Sequence, residues 1–285
     1  MHPAPFDYQR PVTLDEAFSL LGAEGARPLA GGHSLLPAMK LRVSNPATLV
    51  DISRIPGLDA IEQNGGGLTI GALATHEVVA ASTVVATHCR ILAETAAHIG
   101  DAQVRARGTM GGSIAHADPA ADYPTTLLAL GATVNTASVA GTRQVAIGDF
   151  FVDIFTTALE LGELITSVTI PSLPAGTGGV YLKHRHPASS YAVVGIAAIV
   201  MMEGGSITGA RLAVGGVAGK PVAVDVSALT GQAPSPEVFA SAAGAVAGAL
   251  GNPIGDLYAS GEYRVHLAGV LARRALAAAA ERTAG

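Results

Sequence analysis

Leu29-Ala30-Gly31-Gly32-His33-Ser34-Leu35-Leu36 decides the reading of this chain, together with a second stretch, Gly108-Thr109-Met110-Gly111-Gly112-Ser113. Arg27 to Ala30 reads as a short strand, Gly31-Gly32 as a turn, and Ser34 as the cap of a short helix carrying Leu35, Leu36 and Met39. A strand, a Gly-rich turn and a helix start in that order present backbone N–H groups to an anion. The second stretch again sets two residues without Cβ beside a hydroxyl, as backbone needs when it approaches a diphosphate at hydrogen-bond distance. Each stretch alone also reads as a tight structural turn. Together they suggest one dinucleotide clasped between them.

The composition bounds what surrounds these loops. Glycine stands at 35 of 285 residues, above an average near 7%. Apolar residues make up 49% while aromatics make up only 4%, so small aliphatic side chains fill the core. The length suggests about two domains. The longest apolar run, Tyr191 to Met202, falls short of the ~18 to 20 residues that span a bilayer, and Pro3, Pro5 and Asp7 stand where a secretory leader needs an apolar run. A cytoplasmic chain that is not transmembrane is expected. A single cysteine, Cys89, excludes an internal disulfide, a CxxC pair and an iron–sulfur cluster held by this chain alone. The net charge is −5 and only 14% of residues are charged. That balance gives no reason to expect nucleic acid, and the sparse charge points to a surface covered by other protein chains.

Working outward from the loops, Thr13 and Glu16 form a capping box for a helix from about Leu14 to Ala23, and Thr48 to Ile52 reads as a strand. A turn at Asn64 to Gly67 precedes a strand over Leu68 to Ala72, a helix begun at Thr75, and a longer helix from about His88 to Ile99. Asp101 to Pro124 reads as a long ordered loop, the kind that carries function. A helix over Thr125 to Leu130 and strands near Thr133 to Thr136 and Leu164 to Ile170 follow. Pro171 to Gly179 reads as a linker. Beyond it, strands over Tyr181 to His186 and Ala192 to Met202, a Glu203-Gly204-Gly205-Ser206 turn and a strand over Ile207 to Val214 form an antiparallel hairpin pattern. Two Ala-rich helices, one capped by Ser235 with Pro236 at its first position and one from Glu262 to about Arg282, complete an α+β chain.

Several chemistries lack their residues. Gly65, Gly67 and Gly71 do not have GxGxxG spacing, and Gly219-Lys220 is followed by Pro221, so neither a Rossmann fingerprint nor a P-loop is present. Gly32-His33-Ser34 and Gly111-Gly112-Ser113-Ile114-Ala115 miss the final glycine of a nucleophile elbow. His184 and His186 have no third ligand in sequence reach, and no HExxH occurs.

Phe6-Asp7-Tyr8 with Arg10-Pro11, Leu29 to Leu36 with Met39-Lys40-Leu41-Arg42, Val50-Asp51-Ile52, Ile70-Gly71-Ala72, Gly108 to Pro124, Gly261-Glu262-Tyr263-Arg264 and Leu271-Ala272-Arg273-Arg274 span nearly the whole chain. In these residues it resembles the FAD-binding medium subunits of the molybdenum hydroxylases. The resemblance implies a vanillyl-alcohol-oxidase-type FAD-binding domain of two subdomains, 1–57 and 58–175, followed by a C-terminal sheet-and-helix domain, 176–285. It implies noncovalent FAD on this chain, a large partner subunit with a molybdenum-pterin cofactor, and a small partner with [2Fe-2S] clusters. A dimer of heterotrimers is expected, in which FAD hands electrons to an external acceptor. A standalone FAD-dependent oxidase or reductase is the alternative, and it would need a substrate-facing acid/base pair that the sequence does not offer.

Carried over residue by residue, the resemblance assigns Leu29, Ala30, Gly31, Gly32, His33, Ser34 and Leu35 to the first diphosphate loop and Thr109, Met110, Gly111, Gly112 and Ser113 to the second. Asp122 matches an acidic contact to a cofactor hydroxyl, Lys183 a lysine near the isoalloxazine, Ile99 and Ile165 apolar positions lining the ring, and Tyr191 an aromatic over its face. Asp122 also suits a cap for the helix near Thr125, and Lys183, beside His184 and Arg185, a solvated strand face. Ser113 departs from many relatives, which have Asn there, and one hydroxyl replaces an amide that both donates and accepts. No general-acid or general-base residue is expected, because the flavin carries the redox chemistry.

Overall fold

Thr13 and Glu16 set the first helix as their spacing predicts. The structure, a computed structural model, describes residues 2–65 and 67–284, so Gly66 of the expected Asn64 to Gly67 turn lies outside the described residues. Strand β1 (Asp7–Gln9) leads to α1 (Leu14–Leu21), where the Thr13 hydroxyl accepts the Glu16 N–H and the Glu16 carboxylate accepts the Val12 N–H. Such a cap is worth roughly 1 kcal/mol. Strand β2 (Ala26–Leu29), helix α2 (Leu35–Lys40) and strand β3 (Thr48–Asp51) follow, with β3 between β1 and β2 and parallel to both. Ser34 precedes α2 without capping it through its side chain, contrary to expectation. Its backbone, at φ −111° and ψ −49°, is already in the helical region rather than the extended one a capping hydroxyl requires.

Strands β4 (Ile61–Asn64) and β5 (Gly67–Gly71) open a second sheet, followed by α3 (His76–Ala81), α4 (Thr83–His88) and α5 (Arg90–Ala97). The helix expected from His88 to Ile99 is divided at Cys89, whose backbone leaves helical geometry at φ −155° and ψ 65°. The expected loop over residues 101–124 is also corrected, since it contains α6 (Ala102–Arg105), α7 (Met110–His116) and the start of α8 (Asp122–Leu130). Glycine disfavours helix by about 1 kcal/mol per residue, which hides α7 in the sequence. Side-chain caps from Asp101 and Thr109 start α6 and α7 nonetheless. The chain continues through β6 (Thr133–Ser138), β7 (Gly141–Ala146), α9 (Ile147–Phe150), the small hairpin β8 (Phe151–Asp153) and β9 (Thr156–Thr157), and β10 (Leu164–Pro171). The second sheet has the order β4-β5-β10-β6-β7 and is antiparallel throughout.

Across this sheet Arg143 donates to both oxygens of Glu163 at 2.7 Å and the Thr136 hydroxyl donates at 2.6 Å, holding the Glu163 carboxyl down at about 2. A folded-state value below the ordinary 4.5 means the contribution is present above pH 4.5 and is lost as the pH falls through the window from 4.5 to about 2. Arg143 is half exposed, so solvent screening keeps the gain modest. Glu163→Gln is expected to lower the thermal midpoint by a few degrees at pH 7. The gap to the parent chain should close by about pH 2, and a gap that persisted there would remove the ion pair as its cause.

The third sheet is built from β11 (Thr177–Arg185), β12 (Ala192–Glu203), β13 (Ser206–Gly215) and β14 (Val222–Val224), antiparallel in that order. The linker is shorter than expected, because β11 already begins at Thr177 and Gly178 and Gly179 are strand residues. A Cβ on Gly178 would overlap the Ala279 carbonyl oxygen, and one on Gly179 would lie 3.3 Å from the Ile91 side chain. These glycines let helices come close. On one face of β12, Ile196, Ala198 and Val200 meet α10 (Pro236–Ala249) and the long α11 (Gly261–Glu281). On the other, Ala197 and Ile199 join Leu127, Leu130 and Ile91 in the core of the second sheet. Burial on both faces explains why β12 is apolar without alternation. Buried Arg264 of α11 ties this layer together, donating to the carbonyls of Val193 and Gly216 and to the Asp256 carboxylate. Among the described residues no helix is long and apolar enough to cross a membrane.

Candidate functional site

A cavity of about 900 Å³ opens where the first sheet, the second sheet and the β11–β12 connection meet, a size that suits a large small-molecule ligand. Leu29, Ala30, Gly31, Gly32, His33, Ser34 and Leu35 line one part of it, and Thr109, Gly111, Gly112 and Ser113 another. Ile99, Asp122, Ile165 and Tyr191 complete the set of expected residues at the wall. Met110 and Lys183 are not brought there. Met110 is wholly buried in the core of the second sheet, and Lys183 turns to Asp122 and to the His98 carbonyl.

The two Gly-Gly elements meet each other before they meet any ligand. A Cβ on Gly31 would overlap the carbonyl oxygen of Arg107 and lie 3.0 Å from the Cα of Gly108. One on Gly111 would lie 2.5 Å from the Cβ of Ala72. At Gly31 and Gly111 the missing side chains thus let backbone pack on backbone, which draws the walls of the cavity together, while both glycines still line it. Gly32 has a different reason, its φ of +75°.

The elements also differ in what they offer. The N–H groups of Gly32, His33, Ser34 and Leu35 have no acceptor among the described residues, so the first element presents a run of donors. In the second, the N–H groups of Met110, Gly111, Gly112 and Ser113 go to Ala74, Ala72 and Thr109. What it offers instead is side chain: the Thr109 hydroxyl, still free to donate, and the Ser113 hydroxyl. This donor set fits a diphosphate bound by the backbone of one element and the hydroxyls of the other, which is the chemistry FAD would present.

At the buried end, Asp122 stands in the first turn of α8 and takes Lys183 Nζ at 2.8 and 3.0 Å and the Tyr181 hydroxyl at 2.6 Å. Neither simpler reading holds, for Asp122 is no N-cap and Lys183 is no solvated face. Both side chains are 5% exposed. Burial pushes the Asp122 carboxyl up, and the charge and hydrogen bonds of Lys183 and Tyr181 pull it back down. Near the mouth, burial raises the Tyr191 hydroxyl, with the charges of Asp118 and Asp122 adding to it. Ala117, Phe155 and Ser190 are non-glycine residues at positive φ around this mouth, and the Phe155 N–H donates to the Ala117 carbonyl. His76, Asp118, Phe155 and Leu161 line the cavity and escaped the sequence reading. Two of them left a trace in the sequence, Asp118 within the Gly108 to Pro124 stretch and His76 directly after the helix start at Thr75. Among the described residues no cluster of His, Cys, Asp and Glu is arranged to hold a metal ion.

Residues 4–173 match the family described as the FAD binding domain in molybdopterin dehydrogenase, and residues 180–279 match the CO dehydrogenase flavoprotein C-terminal domain. The nicotine 6-hydroxylase medium subunit of Paenarthrobacter nicotinovorans is 38% identical, over 97% of this chain and 98% of that protein. The carbon monoxide dehydrogenase medium chain of Hydrogenophaga pseudoflava is 38% identical over the full length of both. Among solved structures, carbon monoxide dehydrogenase from H. pseudoflava superposes with a TM-score of 0.96 at 37% identity, and quinoline 2-oxidoreductase from Pseudomonas putida 86 with 0.93 at 35%. Each match covers 99% of both chains. The cavity thus lies in a FAD-binding domain whose donors suit that cofactor, and the chain belongs to the FAD-binding medium subunits of the molybdenum hydroxylases, as an oxidoreductase subunit.

Proposed function

We propose that this chain is the electron-transfer subunit of a heterotrimeric molybdenum hydroxylase, taking electrons from [2Fe-2S] clusters on a small subunit and passing them to an external acceptor, while a large subunit with the molybdenum-pterin cofactor oxidises substrate. The observation that carries this reading is the cavity itself, with unpaired backbone donors on one side and hydroxyls on the other. Bound FAD would supply the two-electron redox chemistry. Gly32 to Leu35, Thr109 and Ser113 would hold its diphosphate, Ile99 and Ile165 would exclude water from the ring, and Tyr191 would cover it. We place Asp122 at a cofactor hydroxyl and Lys183 behind it, where the lysine keeps the carboxylate ionised. The division into three units, 1–57, 58–175 and 176–285, is supported by the three larger sheets, each of which stays within one of these ranges. Assembly as a dimer of heterotrimers, in the cytoplasm, agrees with the sparse charge and with a lone buried cysteine.

Purified with its partners, the chain should show flavin absorbance and carry iron and molybdenum in the same complex. Acid precipitation should leave the flavin in the supernatant, as noncovalent binding requires. Flavin retained on the pellet would overturn noncovalent binding, and a complex without flavin would overturn the site.

A further inference from the structure

His76 is a buried polar residue at this cavity that the proposed function does not use, and one of its ring nitrogens has no partner among the described residues. It is 5% exposed, it lines the cavity, and its Nδ1 is sealed from solvent with no hydrogen-bond partner among the described residues. Its ring packs edge-on against Tyr123, with centroids 5.3 Å apart. Its Nε2 lies at the seam between the two Gly-Gly elements, where a methyl group on Gly108 would come 2.5 Å from it. Buried polar groups are almost always satisfied, and an orphaned N–H costs more than an under-used acceptor. The proton therefore belongs on Nε2, leaving the sealed Nδ1 as the lone-pair nitrogen. Burial also holds the imidazole neutral, its pKa pushed down to about 4, with the charges of His33 and Arg105 adding to the effect.

We propose that His76 is a cofactor-binding residue, presenting its Nε2–H to the diphosphate of FAD at the seam between the two loops. This rests on the FAD reading of the cavity. It makes His76 a side-chain N–H donor at a point where the second element has spent its backbone N–H groups on Ala72, Ala74 and Thr109. A purely structural histidine would be improved by an apolar replacement, because the orphaned Nδ1 would go.

The test compares His76→Leu and His76→Gln in the full complex, with FAD removed and titrated back by flavin fluorescence, and with apo thermal midpoints measured beside it. His76→Leu is expected to weaken FAD roughly ten-fold or more, as for a lost hydrogen bond to a charged acceptor, while the apo midpoint stays or rises. His76→Gln, which can place an amide N–H near the Nε2 position, should recover most of the affinity. A dissociation constant for His76→Leu within two-fold of the parent, or equal losses in both variants with lowered apo midpoints, would overturn the role. Should His76→Leu fail to fold, affinity in His76→Gln that fell as far as in a Thr109→Val control would overturn it equally. A parent complex that takes up no FAD would instead bring down the reading of the cavity itself.

Discussion

Replacing Gly31 by alanine is expected to cost the chain its flavin, with FAD affinity falling at least ten-fold and the thermal midpoint dropping by several degrees. The added Cβ meets only backbone, the Arg107 carbonyl and the Cα of Gly108, so no flexible side chain can move aside. Overpacking of this kind costs about 1 to 3 kcal/mol, and in a chain of this size each kcal/mol shifts the midpoint by roughly 2 to 4 °C. The strain falls on the seam that holds the cavity walls together, so binding suffers more than global stability. Gly112→Ala supplies the contrast. Its Cβ would press at 2.8 Å on the Thr109 hydroxyl, which can rotate away, so its loss is confined to one cap, worth about 1 kcal/mol, and to one of the hydroxyls offered to the ligand, smaller than the loss at Gly31. Flavin titration of the two variants settles the matter, and equal, near-parental affinity in both would remove the seam from the account of binding.

Lys183→Met is expected to be the most destabilising single change at the buried end, by about 3 to 5 kcal/mol, the usual cost of leaving one member of a buried ion pair uncompensated. Asp122 would keep the Tyr181 hydroxyl as its sole side-chain donor. The pair Asp122→Asn with Lys183→Met should recover most of the loss, which a double-mutant cycle measures directly. The penalty should also fade at low pH. Burial already raises the Asp122 carboxyl above its ordinary 3.8, and without Lys183 it rises further, so the variant loses stability as the pH climbs above 3.8 and regains it below. A Lys183→Met chain with an unchanged midpoint at pH 7 would show that the ion pair contributes nothing net to the fold.

Much of this architecture is written locally. Thr13, Thr75 and Ser235 cap helices where their spacing says they should, and the Glu203 to Ser206 turn joins two long antiparallel strands. The rest is hidden for identifiable reasons. Helix α7 is obscured by its own glycines, one of which, Gly111, is there because Ala72 crowds it. Asp122 and Lys183 lie 61 positions apart, so their pairing exists only once α8 packs against the third sheet. His76 looks like any polar residue at the start of a helix until Tyr123 and Gly108 close around it. The site residues were found as loops, but which atoms of those loops remain free to bind could be read only from the fold.

The backbone seam at Gly31 and Gly111 carries a consequence for recognising such chains at all. Because these glycines serve the protein's own packing, a descendant that had abandoned its flavin would still lose stability by replacing them. Its release from duty would be visible elsewhere, in drift at Ser113, at Tyr191 and at His76, positions that the fold can spare. The double-glycine signature therefore marks the scaffold, and, on the proposed binding roles, occupancy by cofactor is better diagnosed from those three side chains.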